Sequence, residues 1–178
     1  MNMQCKMKTA LFFALAGILS GITCWVGAIF LEEYMLVLQV YPGIVLGIFL
    51  YLCGMFIVHL PARHKIMTPT ILMIAGAAGW RLAVDIGFDL GGPVPYVTAG
   101  IFGAFVVALG WLSAWKVRYN NVMFIVVVTL SGAIGGLIFQ IADQYFVMQE
   151  ELWALVLFTE WQAILLTGIA TALRFRSQ

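Results

Sequence analysis

Six long apolar runs constrain this chain more than any other feature of its sequence. A helix of about 20 apolar residues crosses a bilayer core about 30 Å thick, and each run comes close to that length. Short polar segments rich in turn-forming residues separate them. The predicted spans are Thr9–Leu31, Pro42–Leu60, Met67–Phe88, Val94–Trp115, Val122–Ala142 and Leu152–Leu173. We therefore predict an all-α integral membrane bundle of six transmembrane helices with very short loops, forming one transmembrane domain over residues 1–178.

The composition supports this class and excludes others. The chain is 63% hydrophobic and 10% charged, whereas soluble domains are roughly a quarter charged. A net charge of +1 offers no basic surface for nucleic acid. The three cysteines form no CxxC pair and the two histidines have no metal-ligand spacing, so we expect no cofactor and no metal.

The basic residues test the predicted topology independently. Eight of the nine fall at one side of the six spans when both termini are placed in the cytoplasm, as the positive-inside rule requires. The loops on the opposite side contain acidic residues and no basic ones. We therefore predict cytoplasmic termini. The first apolar run continues to Leu31, which is too long for the apolar region of a signal peptide, so we predict an uncleaved first span. The compact layout without organellar signals favours a bacterial inner membrane. The eight residues are Lys6, Lys8, Arg63, Lys65, Lys116, Arg118, Arg174 and Arg176.

The ninth basic residue, Arg81, lies inside the third apolar run. The stretch between Lys65 and Arg81 is too short to cross a bilayer, so this helix could instead be re-entrant. Removing it as a span would place the later basic segments outside, against the rule. The third span is therefore predicted to cross, carrying Arg81 and Asp85 within it.

Small residues recur at helical spacing in most spans. Gly17–Gly21, Gly43–Gly47 and Gly132–Gly136 are GxxxG-type pairs that let helix backbones approach closely. Polar residues share these stripes in the second, third, fifth and sixth spans. We therefore expect the polar residues to face the bundle interior.

The polar candidates cluster towards the outer ends of the spans. At 1.5 Å per residue, Arg81 lies about 10 Å below the outer end of its span, Asp85 about 4–5 Å and Glu160 about 12 Å. Gln140 accompanies them, with Asp143 and Gln39 as secondary candidates. The spacing predicts an outer-half polar region that binds a solute or ion.

Buried charges require partners, because an ionised side chain in the membrane interior costs roughly 2.5–3.5 kcal/mol on insertion scales. Arg81 can pair with Asp85 one turn away or with Glu160 at a similar depth, and the sequence leaves both open. The carboxylate left unpaired must reach water, bind a cation or be protonated.

Two functions from different classes fit these features. The first is a small transporter or solute-binding membrane subunit, in which Arg81 binds an anionic or carbonyl group and Glu160 a proton or cation. The alternative is a non-catalytic structural, assembly or immunity-type subunit whose charges only hold helices together. Either would work within the lipid bilayer as a homo-oligomer or with a partner membrane subunit. An enzyme is disfavoured, since neither histidine is placed to activate Ser131.

Overall fold

The structure is a computed structural model that describes residues 3–31, 39–89, 95–116, 120–145 and 150–175. The side chains of residues 3–6, 87–89, 150–151 and 175 lie outside the description. The described residues form six α-helices and no strand, confirming the predicted all-α architecture. The helices are α1 (Met3–Phe30), α2 (Tyr41–Leu52, continued by a π-helical turn, Cys53–Ile57), α3 (Met67–Asp89), α4 (Pro95–Ala114), α5 (Asn121–Tyr145) and α6 (Glu150–Ala172).

Five of the helices are long and apolar enough to span a membrane, and the second is shorter. The apolar helix that includes α2 and its π turn covers Tyr41–Ile57, whereas the sequence predicted a span reaching Leu60. At 1.5 Å per residue this helix is about 25 Å long. The chain leaves it at Val58 and bends at His59, whose φ is +53°.

Consecutive helices pack side by side, and α6 closes the arrangement by packing against α1. The result is a ring of six antiparallel helices. Close backbone approaches occur where the sequence predicted them: a side chain at Gly43 would overlap the backbone of Gly76, and one at Gly17 would overlap that of Ala163. Close approach at these glycines increases the dispersion contacts between neighbouring helices. Such contacts matter in a bilayer because lipid tails are as apolar as the side chains, so the hydrophobic effect adds little to helix association.

The two ends of the ring differ in charge. The basic end carries Lys8 and Lys116 near its helix termini and Arg63 and Lys65 in the segment between α2 and α3. The acidic end carries Asp85 and Asp143.

The segment before α3 covers the end of α4 at the basic end. The Arg63 backbone N–H and the Thr68 hydroxyl both donate to the Ala114 carbonyl, and the Arg63 Nε donates to the Trp115 carbonyl. Carbonyls that a helix C-terminus leaves without intrahelical partners are thereby satisfied.

Packed rings fill the centre of the bundle at the basic end. Phe13, Trp111 and Trp115 are fully buried, and Trp111 contacts both of the others, with ring centroids 6.3 and 5.6 Å apart. Leu46, Leu50, Leu165 and Ile169 surround them.

Candidate functional site

A cavity of about 230 Å³ lies at the acidic end of the bundle. Residues of α3, α4, α5 and α6 line it, so it lies between four of the six helices. Four of the lining side chains are tyrosine or tryptophan, and most of the others are apolar. The lining residues are Trp80, Ala83, Val84, Pro95, Tyr96, Ala99, Gly100, Gly136, Trp153, Leu157 and Trp161.

Asp143 holds two of the aromatic walls. Its Oδ2 accepts a hydrogen bond of 3.2 Å from the Tyr96 hydroxyl, and its Oδ1 accepts one of 2.7 Å from the Trp153 Nε1. The carboxylate thereby joins α4, α5 and α6. Phe139 packs edge-on against both rings, at 4.9 Å from Tyr96 and 5.0 Å from Trp153. Since charge-assisted hydrogen bonds are the stronger kind, Asp143 fixes the relative position of these two walls.

Trp161 reaches into the bundle from α6 and is 6% exposed. Side chains placed at Gly100, Gly103 or Gly135 would meet its indole ring. Glycines on α4 and α5 therefore make room for this tryptophan as well as letting helices approach. The fourth aromatic wall, Trp80, packs against Phe158 with ring centroids 5.2 Å apart.

Arg81 and Asp85 form a bidentate ion pair on α3. The Arg81 Nη2 lies 2.7 Å from the Asp85 Oδ1, and the Arg81 Nε donates to Oδ2 at 2.9 Å. The two alternatives left by the sequence are thus resolved in favour of Asp85. The side chains are 42% and 43% exposed.

The expectation that this pair faces the bundle interior is wrong. Arg81 lies two helical turns from Ile74, on a face where Ile74 and Ala78 are exposed. Contacts with the neighbouring helices are made instead by Gly76 towards α2 and Gly79 towards α4. Those glycines define the packing faces of α3, and the stripe through Ala78 and Arg81 points away from them.

Glu160 is half-buried on α6, within the predicted membrane span. Both carboxylate oxygens are inaccessible to solvent, and neither has a hydrogen-bond partner in the part of the chain that the structure describes. Glu160 does not line the cavity, although the next residue, Trp161, does. The deepest predicted carboxylate therefore has no hydrogen-bond donor among the described residues.

An open groove of about 280 Å³ begins one turn beyond Glu160, between α5 and α6. Three hydroxyl side chains line it. Each donates to the backbone carbonyl four residues earlier in its own helix, which leaves the oxygen lone pairs free to accept. The hydroxyls belong to Ser131, Thr167 and Thr171.

The remaining predicted residues have separate positions. Gln140 is buried in α5, with 7% of its surface exposed. Gln39 is exposed in the turn that precedes α2, and therefore does not join the other candidates. Within the described ranges no group of three or more histidine, cysteine, aspartate or glutamate side chains is arranged to hold a metal ion.

The sequence reasoning missed two features of this region. It gave no binding role to the four aromatic residues Trp80, Tyr96, Trp153 and Trp161, although all four line the cavity. It also passed over Gln162, which is 1% exposed.

Gln162 belongs to a short hydrogen-bond chain between helices. Its Nε2 donates to the Cys24 Sγ at 3.3 Å, and that thiol donates to the Pro42 carbonyl at 3.6 Å. An amide in an apolar run was the signal that could have indicated this link between α6, α1 and α2.

Comparisons of this chain with protein-family models, with curated proteins and with solved structures found no match.

Proposed function

We propose that this chain binds a small solute in the acidic-end cavity and acts as a small transporter or as the solute-binding subunit of one. The observation that carries the proposal is the cavity itself, which lies between four helices and is lined by aromatic side chains. Concave, mostly apolar sites with a few placed polar groups are typical of small-molecule binding. Asp143 supplies a polar group that fixes two of the walls.

Glu160 is the proposed proton or cation site of this transporter. An ionised carboxylate in the hydrocarbon region is costly, and Glu160 has no hydrogen-bond donor among the described residues. A proton or a bound cation would neutralise it.

The proposal extends to orientation and partners. The positive-inside rule supports an orientation with both termini, and hence the basic end, in the cytoplasm, and we place the chain in a bacterial inner membrane. Fusions of a cytoplasm-active and a periplasm-active reporter to each terminus would test this orientation. Because Trp111 and Trp115 fill the ring at the basic end, we infer that a complete pathway needs a second copy or another membrane subunit.

We also propose that the chain is not an enzyme. The Ser131 hydroxyl donates to the Val127 carbonyl of its own helix at 2.9 Å. A nucleophilic serine would instead donate to a general base.

The test of solute binding compares two alanine-to-phenylalanine substitutions. Ala99 lines the cavity, whereas Ala78 lies on the exposed face of α3. The protein in lipid nanodiscs is screened against a library of small solutes by ligand-observed NMR. Ala99→Phe should abolish binding of any solute that the wild type binds, and Ala78→Phe should preserve it. Binding that survives in Ala99→Phe would locate the solute elsewhere and refute the proposal.

A structural or assembly subunit is the second candidate, favoured by the Arg81–Asp85 pair, which neutralises itself at the bundle surface. Replacing Arg81 and Glu160 together by glutamine discriminates the two. Retained function with altered stability favours the structural subunit. A folded protein that has lost solute uptake favours the transporter.

A further inference from the structure

The end of the bundle at which the cavity lies is the acidic one, and Asp143 stands beside two of the cavity walls. Arg81 of α3 lies next in sequence to the cavity residue Trp80, and Asp85 already neutralises its guanidinium. Asp143 forms no such ion pair with any residue that the structure describes; its hydrogen-bond donors are the Tyr96 phenol and the Trp153 indole. By sequence, the loops and span ends predicted to lie on the outer side also contain Glu32, Glu33, Asp89, Glu150 and Glu151 and no lysine or other arginine. Such a one-sided distribution raises the local concentration of cations and lowers that of anions.

The cavity walls provide a matching attraction. Trp80, Tyr96, Trp153 and Trp161 all line it, and aromatic faces attract cations through their quadrupoles, with tryptophan the strongest. The Asp143 carboxylate accepts hydrogen bonds from two of these rings. A carboxylate that accepts hydrogen bonds from the indole N–H and the phenol O–H polarises both rings and increases their electron density. The rings then attract a cation more strongly.

The remaining walls are suited to hydrocarbon. Besides the four rings, the cavity is lined by side chains that carry no polar group: Ala83, Val84, Ala99 and Leu157. A small inorganic cation would lose its hydration there without gaining ligands, because the described lining offers no carboxylate. An organic cation carries apolar substituents that such walls can bury.

We propose that the solute of this cavity is an organic ammonium cation with apolar or aromatic substituents, held between the four rings. This inference rests on the proposed function and specifies the class of solute. It assigns to Asp143 a positioning and electrostatic role behind Tyr96 and Trp153. A neutral apolar solute lacks the charge attraction, and an anion is repelled.

The test measures binding of three probes to the full chain in nanodiscs by isothermal titration calorimetry, with empty nanodiscs subtracted. The probes are phenyltrimethylammonium, its uncharged carbon isostere tert-butylbenzene, and the anion benzenesulfonate. The cation should bind roughly tenfold more tightly than the isostere, and benzenesulfonate should show no saturable binding. This comparison needs no variant, so misfolding cannot obscure it.

Two substitutions at Asp143 then test its role. Asp143→Asn should weaken binding of the cation about three- to tenfold and weaken binding of tert-butylbenzene clearly less. Asp143→Glu, which keeps the charge, should retain more of the cation preference. Equal weakening of both probes by Asp143→Asn would show that the carboxylate only shapes the cavity, and would overturn its electrostatic role.

The outcomes separate the solute class from the proposed function. If tert-butylbenzene or benzenesulfonate binds at least as tightly as the cation, the cation proposal is overturned while solute binding stands. The cation proposal is likewise overturned, and solute binding stands, if the cation fails to bind but the library yields another solute whose binding Ala99→Phe abolishes. If no probe and no library solute binds the cavity, the proposed function fails with it.

Discussion

Asp143 accepts a hydrogen bond from the indole Nε1 of Trp153 at 2.7 Å, and so ties the end of α5 to the beginning of α6. The same carboxylate accepts the Tyr96 hydroxyl from α4. Three helices thus meet at one side chain beside the cavity. Because the two donors share one acceptor, the loss of either should affect the position of the other ring.

Removing either donor should lower the stability of the bundle. Tyr96→Phe and Trp153→Phe each delete one hydrogen bond to Asp143, and each should reduce the free energy of unfolding by about 1 kcal/mol. In the double variant, the loss of unfolding free energy should differ from the sum of the two single losses, because both hydrogen bonds are made to the same carboxylate. Unfolding in mixed micelles by SDS titration measures these changes. Tyr145→Phe is the control, because Tyr145 is 77% exposed, and a loss no larger than in this control would contradict the prediction.

Glu160 should react as a protonated carboxyl in apolar surroundings. Dicyclohexylcarbodiimide partitions into membranes and modifies carboxylic acids in their protonated form, so it should label Glu160, whose oxygens are buried without a hydrogen-bond partner among the described residues. A water-soluble carbodiimide should instead label the exposed Asp143. Peptide mass spectrometry identifies the site of each label.

Glu160→Gln is the matched variant for this experiment. It should abolish labelling at position 160 and leave the unfolding free energy within about 1 kcal/mol of the wild type, because glutamine replaces a carboxyl that makes no hydrogen bond to a described residue. Glu160→Lys should be more destabilising, since it introduces a charge without a nearby counter-ion. Preferential labelling of Glu160 by the water-soluble reagent would show that water reaches it and contradict the assignment.

Arg81 and Asp85 should behave as one electrically neutral unit. Arg81→Gln alone leaves the Asp85 charge without its partner at 2.7 Å, and Asp85→Asn alone leaves the guanidinium. Each single variant should lose about 1–3 kcal/mol of unfolding free energy, whereas the double variant should recover most of the loss. A double-mutant cycle measured in the same micelles provides the coupling energy. Additive losses would indicate that lipid headgroups or water already screen both charges.

Most of the fold could be predicted from the sequence, because the length and hydrophobicity of a span are properties of one helix at a time. Span length and hydrophobicity identify α1 and α3–α6 without reference to neighbours, and the structure has a helix at each. The end of α2 was predicted less well. The residues His59 and Leu60 read as a continuation of an apolar run, but the π-helical turn at Cys53–Ile57 and the positive φ of His59 end the helix earlier.

The candidate site was harder to predict because it depends on which faces of the helices meet. Ala78, Arg81 and Asp85 share a stripe, and the sequence could not show that Gly76 and Gly79, on other faces, make the contacts of α3. The four aromatic walls come from α3, α4 and α6, and each alone resembles a membrane anchor or a core residue. Glu160 could be recognised, since a carboxylate in an apolar span is conspicuous on its own helix.

The close approach of α2 and α3 supports a last prediction. A methyl group at Gly43 would overlap the carbonyl of Gly76, and one at Gly76 would overlap that of Gly43. Since backbone cannot move aside as a flexible side chain can, Gly43→Ala should lower the unfolding free energy by roughly 1–3 kcal/mol. Val126→Ile adds a methyl group of the same size at a site that is 44% exposed, and should change stability by less than about 0.5 kcal/mol. Equal effects of the two variants in SDS titration would show that α2 and α3 do not pack at this distance in the membrane.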